Sequence, residues 1–189
     1  IVYAFAGRER IMDLLQPVTG ARLTYCYFRF GGVAADVSDE FIAQTRQFCR
    51  DFTQRLPMYR DLVTGNMILR GRCEEIGVLS PEMARRYGAT GPVLRGSGVA
   101  YDVRRFEPYS VYDRLAFDIP TGHSGDAMDR YEVRMAEMEQ SMRIIEQALD
   151  KLPPGPVMAE KVPRVLKPAK GECYFNVESA RGSFGVRVV

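Results

Sequence analysis

DAMDRYEVRMAEMEQSMRIIEQALDKL, residues 126–152, holds no proline or glycine and sets Tyr131, Met135, Met138, Met142, Ile145, Leu149 and Leu152 three or four positions apart. That spacing predicts one long amphipathic helix, about 27 residues or ~40 Å at 1.5 Å per residue. A globular chain of this size has a radius of gyration of about 16 Å, so such a helix crosses nearly its whole diameter. Much of it is expected to pack against material beyond this chain. Asp126 with Arg130, and Glu139 with Arg143, stand four apart, where opposite charges brace a helix face by ~0.2–0.5 kcal/mol. Methionine fills irregular apolar gaps, and the Met-rich seam reads as core rather than as a peptide groove.

Upstream, Ile11, Leu14, Leu15 and Val18 fall at helical spacing and Gly20 follows them, which predicts a helix over Arg8 to Val18. Leu23 to Phe30 is rich in aromatics and runs into Gly31-Gly32, an extended segment with a turn behind it. Ser38 offers a cap, and Asp39 and Glu40 suit the positive end of a helix that carries Phe41, Thr45, Phe48 and Phe52 on one face as far as Pro57. A third helix is expected from Tyr59 to about Leu69. Ser80-Pro81 starts a short one that Gly88 closes.

Between Gly88 and Gly122 the chain changes character, with glycines at 88, 91, 96, 98 and 122 and prolines at 92, 108 and 120. Such a stretch is either a long ordered loop that holds a site or an irregular wrap over partners. Within it Arg95 and Arg104 stand near Asp102 and Asp118. In a low-dielectric interior an arginine needs a carboxylate, so Arg95 and Arg104 are expected to pair with Asp102 or Asp118 in a structural ion-pair network, the alternative being a face toward an anionic ligand or a polar cofactor edge.

Beyond the long helix, Pro153, Pro154, Pro156, Pro163 and Pro168 make a stiff connector. Glu172 to Glu178 and Phe184 to Val189 alternate like two strands joined by a turn over 179–183. The organisation expected is a helical portion over 1–152, a connector over 153–171 and a β-hairpin over 172–189: a mainly α chain with small β elements, in the α+β class. The first residues carry no initiator Met and no signal-peptide pattern, and the final Val186-Arg187-Val188-Val189 would leave an open strand edge. Both features suggest a piece of a longer protein.

Composition narrows the chemistry. The 189 residues are 46% hydrophobic and 26% charged, with a net charge of +2, which implies a folded core and gives no sign of a nucleic-acid partner. No stretch approaches the ~20 apolar residues of a membrane helix. Only four of the 26 basic side chains are lysines, Lys151, Lys161, Lys167 and Lys170, and an arginine-dominated surplus suits interfaces. Cys26, Cys49, Cys73 and Cys173 form no Cys-x-x-Cys pair and read as reduced structural thiols. His123 is the sole histidine, so a zinc site of several imidazoles is excluded and the residue reads as a loop histidine at a helix entrance. The phosphate-cradling glycine patterns are absent.

Several segments, in order, carry a resemblance: GRERIMDLL at 7–15, VTGAR at 18–22, YFRFGGVAAD at 27–36, LRGSGV at 94–99, DRLAFDIP at 113–120, the Asp129-Arg130-Tyr131 and Val133-Arg134-Met135 triplets, and ESARG at 178–182. Together they make the chain similar to the 49 kDa, or D, subunit of respiratory NADH:quinone oxidoreductase. The resemblance implies a fold related to the large subunit of [NiFe] hydrogenases, here its central portion. It implies a peripheral place on the inner membrane, on the cytoplasmic side or the matrix side in an organelle. The implied partners are the iron–sulfur subunit of the quinone module, other peripheral-arm subunits, the membrane arm and quinone. NADH and iron–sulfur clusters would be held elsewhere in the complex, and no cofactor by this chain alone.

The family's tyrosine, histidine and aspartate near the quinone headgroup lie upstream of the segment matched by Ile1, so no residue here is assigned a catalytic, cofactor-binding or metal-ligating role. Pro156 to Gly171 is shorter than the family segment it resembles. Glu178 and Arg181 are expected to brace each other across a turn, with Arg95, Asp102 and Arg104 in the loop framework and Asp126, Asp129, Arg130 and Arg134 opening the long helix near subunit contacts. Two alternatives remain open: the large subunit of an energy-converting [NiFe] hydrogenase, whose nickel needs paired thiolates outside this stretch, and a non-catalytic structural or assembly subunit.

Overall fold

The computed structural model describes residues 2–165 and 167–189. Among the described residues the chain is mainly helical with two small antiparallel sheets of two strands each, an α+β arrangement. It divides into two compact units, Ile1–Arg55 with Leu149–Ala169, and Leu56–Ala148 with Lys170–Val189.

In the first unit, helix α1 spans Val2–Thr19, a longer run than the apolar spacing alone indicates, and gives way at Gly20. Helix α2 spans Asp39–Tyr59 and opens where the Ser38 hydroxyl accepts the Phe41 N–H at 3.1 Å. Within this unit Met12 of α1 and Thr45, Phe48 and Cys49 of α2 are buried. Arg10 lies over the Phe48 ring and pairs with Asp51 at 2.7 Å. The aromatic segment forms only a tiny hairpin, β1 (Phe28–Arg29) with β2 (Gly32–Val33). The proline-rich stretch reaches it: the Val33 N–H donates to the Val157 carbonyl and the Ala159 N–H to the Gly31 carbonyl.

Pro57 does not end α2, which continues to Tyr59 and into a π-helical turn over Arg60–Thr64. The expected helix from Tyr59 to Leu69 is therefore broken. Asn66 starts helix α3 (Met67–Cys73) by accepting the Ile68 and Leu69 N–H groups, which supplies two of the donors a new helix leaves unsatisfied. Helix α4 (Pro81–Arg86) begins at Ser80 and Pro81 as the sequence indicates.

The glycine-rich stretch is more regular than its composition suggests. It contains helices α5 (Gly91–Gly96) and α6 (Val103–Phe106) and a 3-10 turn at Tyr112–Arg114. Helix α7 spans Ala127–Asp150, 24 residues or about 36 Å. The apolar seam read from the sequence is not its buried face: only Met135 of that set is buried, alongside Met128, Val133 and Ile144, whereas Met138 and Leu152 are exposed. Glu132, Met138, Arg143 and Asp150 are the exposed positions of the helix. Most of its other positions are half-buried. Ile144 joins Leu115, Phe117 and Tyr112 in one apolar cluster.

The expected charge pairs along the long helix are also replaced. Glu139 pairs with Arg60 at 2.8 Å and Arg143 with Asp118 at 2.7 Å. Asp126 accepts the Glu75 and Asp129 N–H groups, and Arg130 donates to the Gly125 and Gly77 carbonyls. The Asp129 N–H, at a helix start without an intrahelical partner, and the Glu75 N–H beyond α3 occupy Asp126 instead.

Strands β3 (Cys173–Ser179) and β4 (Gly182–Val188) pair from Cys173↔Val188 to Ser179↔Gly182 around Ala180-Arg181. The hairpin tip sits against the start of α5. A Cβ on Gly91, at φ +61°, would approach the Gly182 Cα, and Thr90 Oγ1 accepts the Ser183 N–H at 3.0 Å. Among the described residues no helix is long and apolar enough to cross a membrane.

Candidate functional site

The docked hairpin brings Glu178 to the densest charged group in the second unit. At its centre is Arg95, near the end of α5 and 1% exposed. Its Nε donates to Glu137 Oε1 of α7 at 2.5 Å, its Nη2 to Glu178 Oε1 of β3 at 2.8 Å, and its Nη1 to the Tyr101 carbonyl at 2.9 Å. Asp102 Oδ2 lies 3.5 Å from the same Nη1. Asp102, equally buried, is gripped by Arg104 through Nε at 2.9 Å and Nη2 at 2.7 Å while its Oδ1 also accepts the Arg104 N–H. The planar guanidinium fork matches a carboxylate in this way, and the backbone bond makes Asp102 the N-cap of α6.

Aromatic rings roof the cluster. The Arg104 guanidinium lies 5.0 Å from the centre of the Phe117 ring and 5.8 Å from that of Tyr112. Tyr109 meets Phe175 edge-on and accepts the Glu178 N–H on its hydroxyl at 3.2 Å. Among the described residues no buried side-chain polar atom lacks a hydrogen bond, as a low-dielectric network requires.

Three carboxylates, Asp102, Glu137 and Glu178, face two guanidiniums, Arg95 and Arg104. The titrations divide accordingly. Burial disfavours ionised Asp102, but the forked bonds from Arg104, the backbone N–H and the charge of Arg95 outweigh it and hold this carboxyl below its ordinary range. Burial likewise opposes a charge on Arg104, yet Asp102 raises it above the usual arginine value. Glu137 goes the other way: burial dominates, Glu178 adds repulsion, and the pull of Arg95 and Arg104 does not compensate, so its pKa is raised. The arrangement clamps α5, α6, α7 and β3 to one another without a nucleophile beside a base.

The sequence-derived assignments meet this geometry in part. Arg95, Asp102 and Arg104 do form one network, but Asp118 does not join it and its side chain is 76% exposed beside Arg143. The brace between Glu178 and Arg181 is not made: Arg181 is exposed at the turn, and Glu178 turns inward to Arg95. Glu137 is a member that sequence reasoning misses, because its partner is 42 residues away and nothing in local spacing marks it. At the opening of α7, Asp129 Oδ2 accepts the backbone N–H groups of His123, Ser124 and Gly125, and Arg134 donates to the Arg130 carbonyl. His123 itself is exposed. Of the cysteines, Cys49 is buried and Cys26 and Cys173 are exposed. Among the described residues no group of three or more His, Cys, Asp and Glu side chains is arranged to hold a metal ion.

Comparison with known proteins gives this framework its kinship. Residues 1–169 match the profile of the family described as respiratory-chain NADH dehydrogenase, 49 Kd subunit. The chain belongs to this family. It is 58% identical over 189 residues to the D subunit of NADH-quinone oxidoreductase from Desulfotalea psychrophila, covering all of this chain and 51% of that protein. It is 60% identical over 189 residues to a D subunit of NADH-quinone oxidoreductase from Opitutus terrae, covering all of this chain and 47% of that protein. The D subunit from Syntrophobacter fumaroxidans is 56% identical over 181 residues, 96% of this chain and 48% of its own length. The chain thus spans about half the length of the curated relatives it matches.

Proposed function

We propose that this chain is the central part of a subunit of a proton-translocating NADH:quinone oxidoreductase, forming part of the wall of the quinone-reduction chamber beside an iron–sulfur subunit. The observation that carries the reading is the family match over residues 1–169 together with 58% and 60% identity to D subunits of NADH-quinone oxidoreductases. The local chemistry agrees with a wall. The buried cluster is bonded throughout to its own backbone and side chains, which suits holding a shape. Electron chemistry would come from cofactors on other subunits, and the protein would fix position and environment. The assembly would lie peripherally on the cytoplasmic face of the inner membrane, with the remaining peripheral-arm subunits and a membrane arm as partners.

Deleting the complete gene in its host and assaying membranes tests this. NADH-driven quinone reduction should be lost and return on complementation, while NADH oxidation by a soluble acceptor such as ferricyanide persists wherever the NADH-oxidising subunits remain assembled. Unchanged quinone reduction, or a loss of hydrogen uptake in its place, would refute the proposal.

A further inference from the structure

The β3–β4 hairpin is docked at one end only. Its turn end is fixed: Glu178 bonds to Arg95, the Ser183 N–H reaches Thr90 and Gly182 lies against Gly91. Away from the turn the two strands pair only with each other among the described residues. The pairings Cys173↔Val188, Phe175↔Val186 and Val177↔Phe184 set these six residues on one face. Tyr109 meets Phe175 edge-on, yet Phe175, Phe184, Val186 and Val188 are each 51–61% exposed. The opposite face is polar by contrast, with Asn176, Glu178 and Arg187, the last paired with Glu172.

A two-stranded hairpin is marginal in water until a further layer covers its apolar face, and Glu178 holds Arg95 only while β3 stays in place. At ~200 Å² for a phenylalanine and somewhat less for a valine, the half-open side chains leave on the order of 400 Å² uncovered. A stable contact between separate chains takes about 800 Å² from each partner, because it must offset the loss of free translation and rotation. Packing within one chain carries no such loss, so a face of this size suits a cover in the same polypeptide. The chain spans 51% and 47% of two D subunits it resembles, which therefore hold about as much chain again.

We propose that the apolar face of the hairpin is a docking site for the subunit's own chain outside residues 1–189, which lays a further apolar element over Phe175, Phe184, Val186 and Val188. The docking requires only the family's chain length and this face, so it holds or fails apart from quinone reduction.

Photo-crosslinking in the purified assembly containing the complete subunit tests this, with p-azidophenylalanine in place of Phe175 or of Phe184. After irradiation, mass spectrometry should find the hairpin joined to residues of the same subunit outside 1–189, in a product that runs on a denaturing gel at the mass of one subunit. Crosslinks to another subunit or to lipid, a product of doubled mass, or crosslinks absent or confined to residues 1–189 would overturn the proposal. Cys173 lies on the same face and gives a reading without any substitution. Its alkylation by N-ethylmaleimide in the native assembly should run at least about tenfold slower than in urea, as a closed contact requires. Alkylation at the urea rate would equally refute the cover.

Discussion

Replacing Arg95 by methionine removes the centre of the charged cluster while keeping much of its apolar stem. The guanidinium is 1% exposed and bonds to Glu137, Glu178 and the Tyr101 carbonyl. Its loss would leave two carboxylates without their cation and a third, Asp102, with Arg104 alone. Breaking a buried pair by removing one partner costs about 3–5 kcal/mol, a large share of the ~5–15 kcal/mol that holds a typical domain together. The same group joins α5 to α7 and to β3, so the loss falls on the whole second unit and not on one loop. Pulse proteolysis of the complete subunit in its assembly, across a urea series, should show the second unit of Arg95→Met cleaved at a much lower urea concentration than the wild type. Adding Glu178→Gln removes one stranded charge and should recover about 0.5–3 kcal/mol, the usual coupling between contacting residues. A single variant within about 1 kcal/mol of the wild type, or a double variant no more stable than the single, would refute the claim that this network holds the unit together, because exposed ion pairs give only such small effects.

Two further outcomes follow from local geometry. Gly91→Ala should loosen the hairpin by at least about 2 kcal/mol, from left-handed strain and overpacking together, since its Cβ would press on the Gly182 Cα. Gly171→Ala, where a Cβ meets nothing within 4 Å, is the matched control, and equal protease sensitivity in the two variants would contradict the close approach. Asp126→Ala should cost about 0.5–2 kcal/mol at neutral pH as a lost helix cap. Burial works against the ionised form of Asp126, but the N–H groups of Asp129 and Glu75 prevail and lower its folded pKa, so its contribution is present above the ordinary aspartate pKa and fades as pH falls through the folded value. The variant should therefore lose part of the acid-side decline in stability seen in a urea series at several pH values, and an unchanged decline would count against it.

The helix signals that act within a few residues were legible in the sequence. Ser38 and Ser80 cap where expected, Gly20 follows the end of α1, and the hairpin strands pair where the alternation puts them. The π turn at Arg60–Thr64 has no comparable signature, although Asn66 just after Gly65 was a readable start for α3. The buried face of α7 differs from the largest-residue seam because tertiary contacts select Met128, Val133 and Ile144. The charged site was half legible: Asp102 and Arg104 are two positions apart, whereas Glu137 and Glu178 reach Arg95 across 42 and 83 residues. Local spacing carries no information about partners that only the finished fold brings together.

Those sequence separations also impose an order of events during synthesis. A ribosome adding about 5–20 residues per second places Glu178 some 4–17 s behind Arg95, and for that interval the guanidinium lacks one of its two bonded carboxylates. Water, or a chaperone that shields half-made domains, must host it meanwhile. The second unit can therefore close only after β3 has emerged, which makes the growing chain most vulnerable to misassembly just before the β3–β4 hairpin arrives.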